Sequence, residues 1–416
     1  MAFKKHLIDS FFFGLIGVLI SAFYLSVVNI ELIREYIEDP AFDFINYTVL
    51  ENKNDSVGSK VLLYCVDDDF LFKEKLITND KRPTNNYGYV LPRKYITKFI
   101  NELENNKYIN PKALIIDYDL DFPLNRISLN NDERILLETL QNFTKFKIYI
   151  VSSNNNATFI SKDKIKNKNI VFGSVSFEVN NDNLTRRYEA CISKDDNCSK
   201  SDYYYIPLLI NEQNLSLYKQ KRDIIGYRIV YKGKLNKYSY KENTYWNNLE
   251  IRSIANISRG VADANDSIVI IGACNSSINK DKSLVKKMFN DTYLSNAYIL
   301  ANSILSIRYF NGSLKILPWY FFVSISFMIF SISYLMGNVI YYMFSKFLFV
   351  KNRAISFIYK YIDYDTIVLL VLLINLFVAS VILLLKYKLW YNYYIFQLLI
   401  IVLNIVKFFI KKESKV

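Results

Sequence analysis

Three uninterrupted apolar runs, 61–66, 113–116 and 267–271, each end in polar or small residues: Asp67-Asp68-Asp69, Asp117 and Gly272. Short apolar runs closed in this way predict strands buried on both faces. Such strands are mostly parallel ones covered by helices. Between them the periodicity is helical. Pro92-Arg93 opens a segment in which Tyr95, Ile96, Phe99, Ile100 and Leu103 recur on one face, and proline suits a first turn. Residues 132–143 repeat the pattern with Ile135, Leu136, Leu140 and Phe143. Further strands are expected at 147–151, 170–179, 185–192 and 224–231, with Asn181-Asp182-Asn183 turning the second into the third as a hairpin. Helices are expected at 70–76, 203–210 and 296–309. The fold class is therefore an α/β domain with a mixed, mostly parallel sheet and flanking helices. The acidic residues after 66 and 116 then lie past strand carboxyl ends, where open α/β sheets bind ligands.

A second pattern brackets this domain. Residues 11–30, 318–344, 365–385 and 390–410 are long, mostly apolar stretches, each sufficient to cross a hydrocarbon core as a helix. The chain thus divides into 1–38 (N-terminus and first transmembrane helix), 39–315 (the α/β domain) and 316–416 (three further transmembrane α-helices). The first stretch is long and has no small-x-small cleavage site, so it reads as an uncleaved anchor; a cleaved signal peptide is the competing reading. Lys4 and Lys5, the loop 345–363 with Lys346, Lys351, Arg353 and Lys360, and the basic tail 411–415 are expected on the cytoplasmic side. Four alternating spans then place 39–315 on the outer side of the membrane. Lys386 and Lys388 fall on the outer side against that rule, while Trp319, Tyr320, Trp390 and Tyr391 sit at outer helix ends as an aromatic belt would.

Composition removes several function classes. The excess of 52 basic over 39 acidic residues could signal nucleic acid, but many of these charges flank the spans, and nucleic acid is not an expected partner. The one histidine, His6, leaves no histidine-ligated zinc site and no histidine-dependent triad. Neither phosphate-cradling glycine motif is present, and no cofactor or metal is expected. Cys65 and Cys274, in or just past apolar runs, read as small core residues. Cys191 and Cys198 bracket a polar loop and form a local disulfide if that loop is exported; otherwise they are two unpaired thiols.

Asp117, Asp119 and Asp121 alternate along an extended chain and so can share one face. A calcium loop needs Gly next and Glu at its twelfth position; Phe122 and Ser128 stand there instead. The pattern also resembles the opening of a haloacid-dehalogenase-type phosphatase, which wants Thr or Val where Asp121 stands. Two readings remain. The carboxylates cap helices and pair with Arg93, Arg126 or Arg186, or else Asp67, Asp68, Arg93, Asp117, Asp119 and Arg186 form a ligand-binding set. Arg186 and Arg187 can grip an anion as a fork or close a hairpin onto a carboxylate. No charge sits mid-span, which argues against an ion or proton pathway.

Several stretches carry a family resemblance. VLLYCVDDDFL at 61–71 is an apolar strand followed by an Asp pair. Pro92-Arg93 after Gly88 resembles a G-x-x-W-P-R helix start with Leu91 in place of Trp. Residues 113–122 resemble a central strand ending in Asp, here Asp117. DNLTRR at 182–187 is similar to a D-G-x-x-R-R turn with Asn183 for Gly. IVYKG at 229–233, SIVIIGA at 267–273 and AYILANSIL at 297–305 follow in order. Together with the spans, these resemble the CHASE2 extracytoplasmic sensor family. The blurred Asp-x-x-Phe at Leu120 and Phe122, the substituted loop 275–282, and Asn296 and Leu300 depart from it. The resemblance implies a membrane-anchored sensor of a periplasmic ligand or protein. CHASE2 regions commonly precede a cytoplasmic kinase or cyclase, whereas only residues 411–416 follow the last apolar stretch. The expectation is therefore no catalysis of its own, with the signal passed to a separate partner or within a homo-oligomer, chiefly through the loop 345–363. Membrane lipid is the other expected partner. An envelope structural or assembly factor, or a periplasmic carboxylate-dependent hydrolase, are the alternatives.

Overall fold

The computed structural model describes residues 2–27, 39–50, 57–78, 82–84, 91–118, 120–124, 128–152, 159–179, 185–193, 196–199, 203–222, 228–229, 248–254, 264–274, 284–287, 290–293, 295–347 and 364–391. In chain order the first elements are α1 (Ala2–Val27), α2 (Asp39–Ile45), β1 (Val61–Val66), α3 (Asp68–Lys73), α4 (Arg93–Asn105), β2 (Ala113–Asp117), α5 (Asn131–Asn142) and β3 (Lys147–Val151). There follow β4 (Ile170–Gly173), β5 (Phe177–Val179), β6 (Thr185–Tyr188), β7 (Cys191–Ile192), β8 (Tyr203–Tyr204), α6 (Ile206–Ile210), β9 (Leu249–Ser253) and β10 (Ile268–Ala273). The last are β11 (Leu284–Lys287), β12 (Asn290–Tyr293), α7 (Asn296–Phe310), β13 (Lys315–Ile316), α8 (Trp319–Phe347), α9 (Tyr364–Tyr387) and β14 (Leu389–Trp390). They form two compact units, Asn46–Ser313 and the pair of segments Met1–Ile45 and Leu314–Val416.

The Asn46–Ser313 unit is built on a six-stranded sheet in the order β4-β3-β2-β10-β1-β9. Every neighbouring pair is parallel. The three apolar runs become its centre, with β10 inserted between β1 and β2 so that Val61, Ile268 and Ala113 stand side by side. Alternation then sorts the side chains. Leu62, Tyr64, Leu114, Ile116, Val269 and Ile271 face one way and meet Ile96, Phe99, Ile100 and Leu103 of α4 and Leu136 and Leu140 of α5. Each such side chain fully buried contributes about 1.5–3 kcal/mol. α5 starts with a capping box, in which Asn130 and Glu133 take each other's backbone N–H. The carbonyls at the far ends of both helices are also satisfied. Lys145 Nζ donates to the Leu103 and Asn106 carbonyls at 2.9 and 2.6 Å, and Asn167 Nδ2 donates to those of Leu140 and Phe143 at 2.8 and 2.6 Å. On the opposite face lies α7, apolar and buried along nearly its whole length.

Four expectations change. The strand expected at 185–192 is two: β6 pairs with β5, and after a break at Glu189-Ala190 β7 pairs with β8. The single strand expected at 170–179 is two: β4 completes the sheet edge, and the chain then turns at Ser174 so that β5 pairs antiparallel with β6. The break falls where Gly173 has no room for a side chain, its Cβ position lying 2.8 Å from the Tyr204 carbonyl. The segment 203–210 is a two-residue strand before a short helix. The edge strand β9 was not expected at all, because Leu-Glu-Ile-Arg-Ser lacks an apolar run; it is half-solvated on the sheet's rim. The Asn181-Asp182-Asn183 turn, most of the strand expected at 224–231, the loop 348–363 and the fourth apolar stretch from 392 onward lie outside the described residues.

Among the described residues of the other unit three helices are long and apolar enough to cross a membrane, over Lys5–Ser26, Trp319–Met343 and Tyr364–Tyr387. They pack antiparallel in sequence order. Ser10 Oγ donates to the Ser331 carbonyl at 2.9 Å, and Tyr24 stacks on Phe322. Gly17 lets α1 close on α8, a Cβ there falling 2.8 Å from the Phe330 ring; Gly337 does the same for α8 against Val368 of α9. Asn375 Nδ2 donates to Ser333 Oγ at 2.9 Å. Small residues and interhelical hydrogen bonds are the usual means of association for helices in lipid. Leu19, Val339 and Leu370 point outward and are exposed. The short α2 belongs to this unit, with Phe42 edge-on to Trp390.

Candidate functional site

The chain passes from β1 across the sheet to β2 and continues outward to β3 and β4, while β9 and β10 return later. This change of direction makes the carboxyl edge of β1, β10 and β2 a topological switch point, the usual place for a crevice. Asp117 ends β2 there, opposite Gly272 of β10, which in turn stands opposite Cys65 of β1. All three face α7. Gly272 is required by this closeness: a Cβ would lie 2.5 Å from the Ala297 Cβ and 3.2 Å from Asp117 Oδ2. Gly272→Ala is expected to destabilise the protein by about 1–3 kcal/mol, as overpacked sites do; a shift of the urea midpoint at unchanged slope is the measurement.

Asp117 is half-buried, yet packed closely enough that burial pushes its carboxyl up to about 7. Among the described residues no hydrogen bond or ion pair reaches it. Burial also drives the neighbouring Tyr118 hydroxyl well above its ordinary range; the Asp117 charge adds to this and Arg93 opposes it. Arg93 is buried at the start of α4, its guanidinium 6.0 Å from the Phe159 ring centre. Asp67 caps α3, accepting the Phe70 N–H at 2.8 Å. Burial raises its carboxyl against the lowering effect of that bond and of the Ser253 hydroxyl. Asp68 lies half-buried in the first turn of α3.

The carboxyl edge thus gathers Asp67, Asp68, Arg93 and Asp117. Asp117 is on the α7 face, and Arg93 with Tyr118 on the α4 face. Asp119 and Arg126 lie outside the described residues. Asp121 does not share a face with Asp117, because the strand stops at 117. It turns inward to accept the Ser152 hydroxyl at 2.8 Å, and its carbonyl takes the Phe159 N–H. Arg186 is elsewhere, in the hairpin past the outer strand β4, where its backbone forms part of β6. Its neighbour Arg187 is buried 4.0 Å from Glu178 across the hairpin. Sequence reasoning missed Tyr118, Ser152 and Ser253, none of which carries a distinguishing pattern. Among the described residues no cluster of three His, Cys, Asp or Glu could hold a metal ion.

The reading of Cys65 and Cys274 as separate core residues is overturned: they are joined, with Cα atoms 5.2 Å apart. The cause is register. Cys65 stands beside Gly272, so Cys274, two residues on, returns to the same face within bonding reach. Cys191 and Cys198 are joined as well, their Cα atoms 5.9 Å apart.

Comparison with protein-family models, with curated proteins and with solved structures finds no match to the chain.

Proposed function

We propose that this protein is a membrane-anchored extracytoplasmic sensor, resembling the CHASE2 family, that takes up a small ligand at the carboxyl edge of its sheet and passes the change to a partner at the membrane. The observation that carries the reading is α7. Its first turn packs on the carboxyl edge beside Asp117, Ala297 lying against Gly272, and its last turn lies at the opposite edge, where Arg308 Nη1 donates to the Ser59 carbonyl at 2.9 Å. At 1.5 Å per residue the helix is about 22 Å long, and the next long helix in the chain is α8. A ligand that prefers one position of the α7 start would therefore bias the segment leading to α8, by as much as its affinities for the two positions differ. Two disulfides support placement in an oxidising compartment.

Alkaline phosphatase fused after Ile160 is expected to be active, and the same reporter fused after Val416 inactive; the reverse would refute the orientation. The sensing role is tested by mass spectrometry of small molecules released from the purified full chain. A compound retained by the wild type and lost from Asp117→Ala is expected. Release of nothing from either would leave a scaffold or assembly role in its place. A carboxyl near neutrality also suits general acid–base work, and a hydrolase activity abolished in Asp117→Asn would move the assignment to an enzyme.

A further inference from the structure

The loop that leads into β4 carries cations that the carboxyl edge does not use. Residues 161–170 read Ser-Lys-Asp-Lys-Ile-Lys-Asn-Lys-Asn-Ile, with Lys162, Lys164, Lys166 and Lys168 exposed and Asp163 the one acid among them. Like charges so closely spaced repel one another, and an unanchored loop would spread them. This loop is pinned. Ile165 is buried, and its N–H donates to the Ser161 carbonyl at 3.0 Å. Asn167 Nδ2 reaches the carbonyls of Leu140, Gln141 and Phe143 at 2.8, 3.2 and 2.6 Å. Its Oδ1 accepts the Asn169 N–H at 2.9 Å, and Asn169 Nδ2 donates to the Thr144 carbonyl at 3.0 Å. Gln141 Nε2 donates back to the Lys164 carbonyl at 3.3 Å. Lys162 lies over the Tyr203 ring, 4.0 Å from its centre.

Between the loop and the end of α5 lies an open hollow of about 390 Å³, lined by Gln141, Phe143, Thr144, Lys164, Lys166 and Asn167. Its lining holds two ammoniums and no carboxylate. Glu138 and Asp163, exposed acids of the same helix and loop, are not part of it. The carboxyl end of a helix ordinarily repels anions through its unpaired carbonyls. Here Asn167 and Asn169 cover those carbonyls, so the lysines set the field. Thr144 is exposed and adds a hydroxyl. Charge and donors together name a ligand class. A carboxylate or a phosphodiester brings a single negative charge, whereas a phosphate monoester brings about two, on three strong acceptor oxygens. Two ammoniums and a hydroxyl match the monoester, and lysine meets phosphate as a point charge. A loop already held in place spares the ligand the cost of ordering it.

We propose that the hollow between the end of α5 and the loop before β4 binds a phosphate monoester, with Lys164 and Lys166 meeting the dianion and Thr144 donating to one of its oxygens. It lies where β3 begins, at the edge of the sheet opposite Asp117, and does not depend on the sensor reading.

Acetic anhydride labelling of the full chain in detergent at pH 8, read lysine by lysine by mass spectrometry, tests it. Glycerol 3-phosphate is the soluble probe, and mixed micelles containing phosphatidic acid present the same monoester on a lipid. Glycerol and dimethyl phosphate are the uncharged and singly charged controls. One monoester or the other is expected to slow the labelling of Lys164 and Lys166, and the one that does so identifies the source. Lys94, Lys98 and Lys219, which lie outside the hollow, should label as before. Lys166→Gln should weaken the protection of Lys164 roughly ten-fold, as loss of a charge-assisted hydrogen bond does. Thr144→Val should weaken it less, and Lys166→Arg should keep it. All three should leave the melting temperature unchanged, since both side chains are exposed. No protection by either monoester overturns the proposal. Protection spread evenly over the exposed lysines overturns it in favour of diffuse screening. Equal protection by dimethyl phosphate overturns the preference for a dianion. Undiminished protection in both Lys166→Gln and Thr144→Val places the monoester elsewhere and overturns the site.

Discussion

Replacing Cys65 and Cys274 together with alanine is expected to lower the unfolding free energy by about 5 kcal/mol, the entropy that a loop of this length returns to the unfolded chain. The bond joins residues 209 apart in sequence, so it restrains most of the unit. The Cys191–Cys198 bond joins residues only 7 apart, and the same relation gives about 2 kcal/mol. Urea midpoints of the two double variants, each in the full chain, check the difference. Equal losses would mean that local rigidity, and not the length of chain enclosed, sets the value of each bond.

Asp117→Asn is expected to make the protein more stable at pH 8 and to flatten the dependence of its stability on pH. The sign follows from proton binding. Burial holds the folded-state carboxyl near 7, against 3.8 in the unfolded chain. Between these values the folded state keeps a proton that the unfolded state has lost. The stabilisation is complete below about pH 4 and is lost as pH rises to about 7. At 1.36 kcal/mol per pKa unit the full span is about 4 kcal/mol, and solvent reaching the half-buried side chain lowers it to about 2–4 kcal/mol. Asparagine keeps the shape without the charge. The difference in midpoint between wild type and variant, measured at pH 5 and pH 8, isolates this residue from every other titrating group. A difference that does not change between the two pH values would show that the Asp117 carboxyl is ordinary and well solvated.

The centre of the fold is legible in the sequence because burial on both faces leaves β1, β2 and β10 no polar position to alternate with. The periods of α4 and α5 are legible for the complementary reason: each has one buried face and one solvated face. What was hidden depends on pairing across long stretches of chain. No local pattern says that β10 lies between β1 and β2, and without that register nothing brings Cys274 to Cys65. β9 was hidden because a rim strand can be polar. Asp67 and Asp117 were visible as acids after apolar runs, but their different fates were not. One is followed by a helix whose free N–H groups it caps; the other has α7 delivered to its side from about 180 residues later in the sequence, by a crossover that only the fold supplies.

The position of β10 also has consequences for how the protein is made. It is the last of the six strands to be synthesised and belongs in the middle of the sheet. Until it arrives, β1 and β2 each present an unpaired edge, a template for pairing with other chains. Contacts this distant in sequence form slowly. Oxidation meets the same delay: Cys191 and Cys198 emerge while Cys65 still waits for Cys274. An oxidant acting in order of emergence would join Cys65 to Cys191 first. If the unit folds in an oxidising compartment, reaching the native pairs from that bond would take thiol–disulfide exchange, and yield would then respond to a disulfide isomerase where final stability would not.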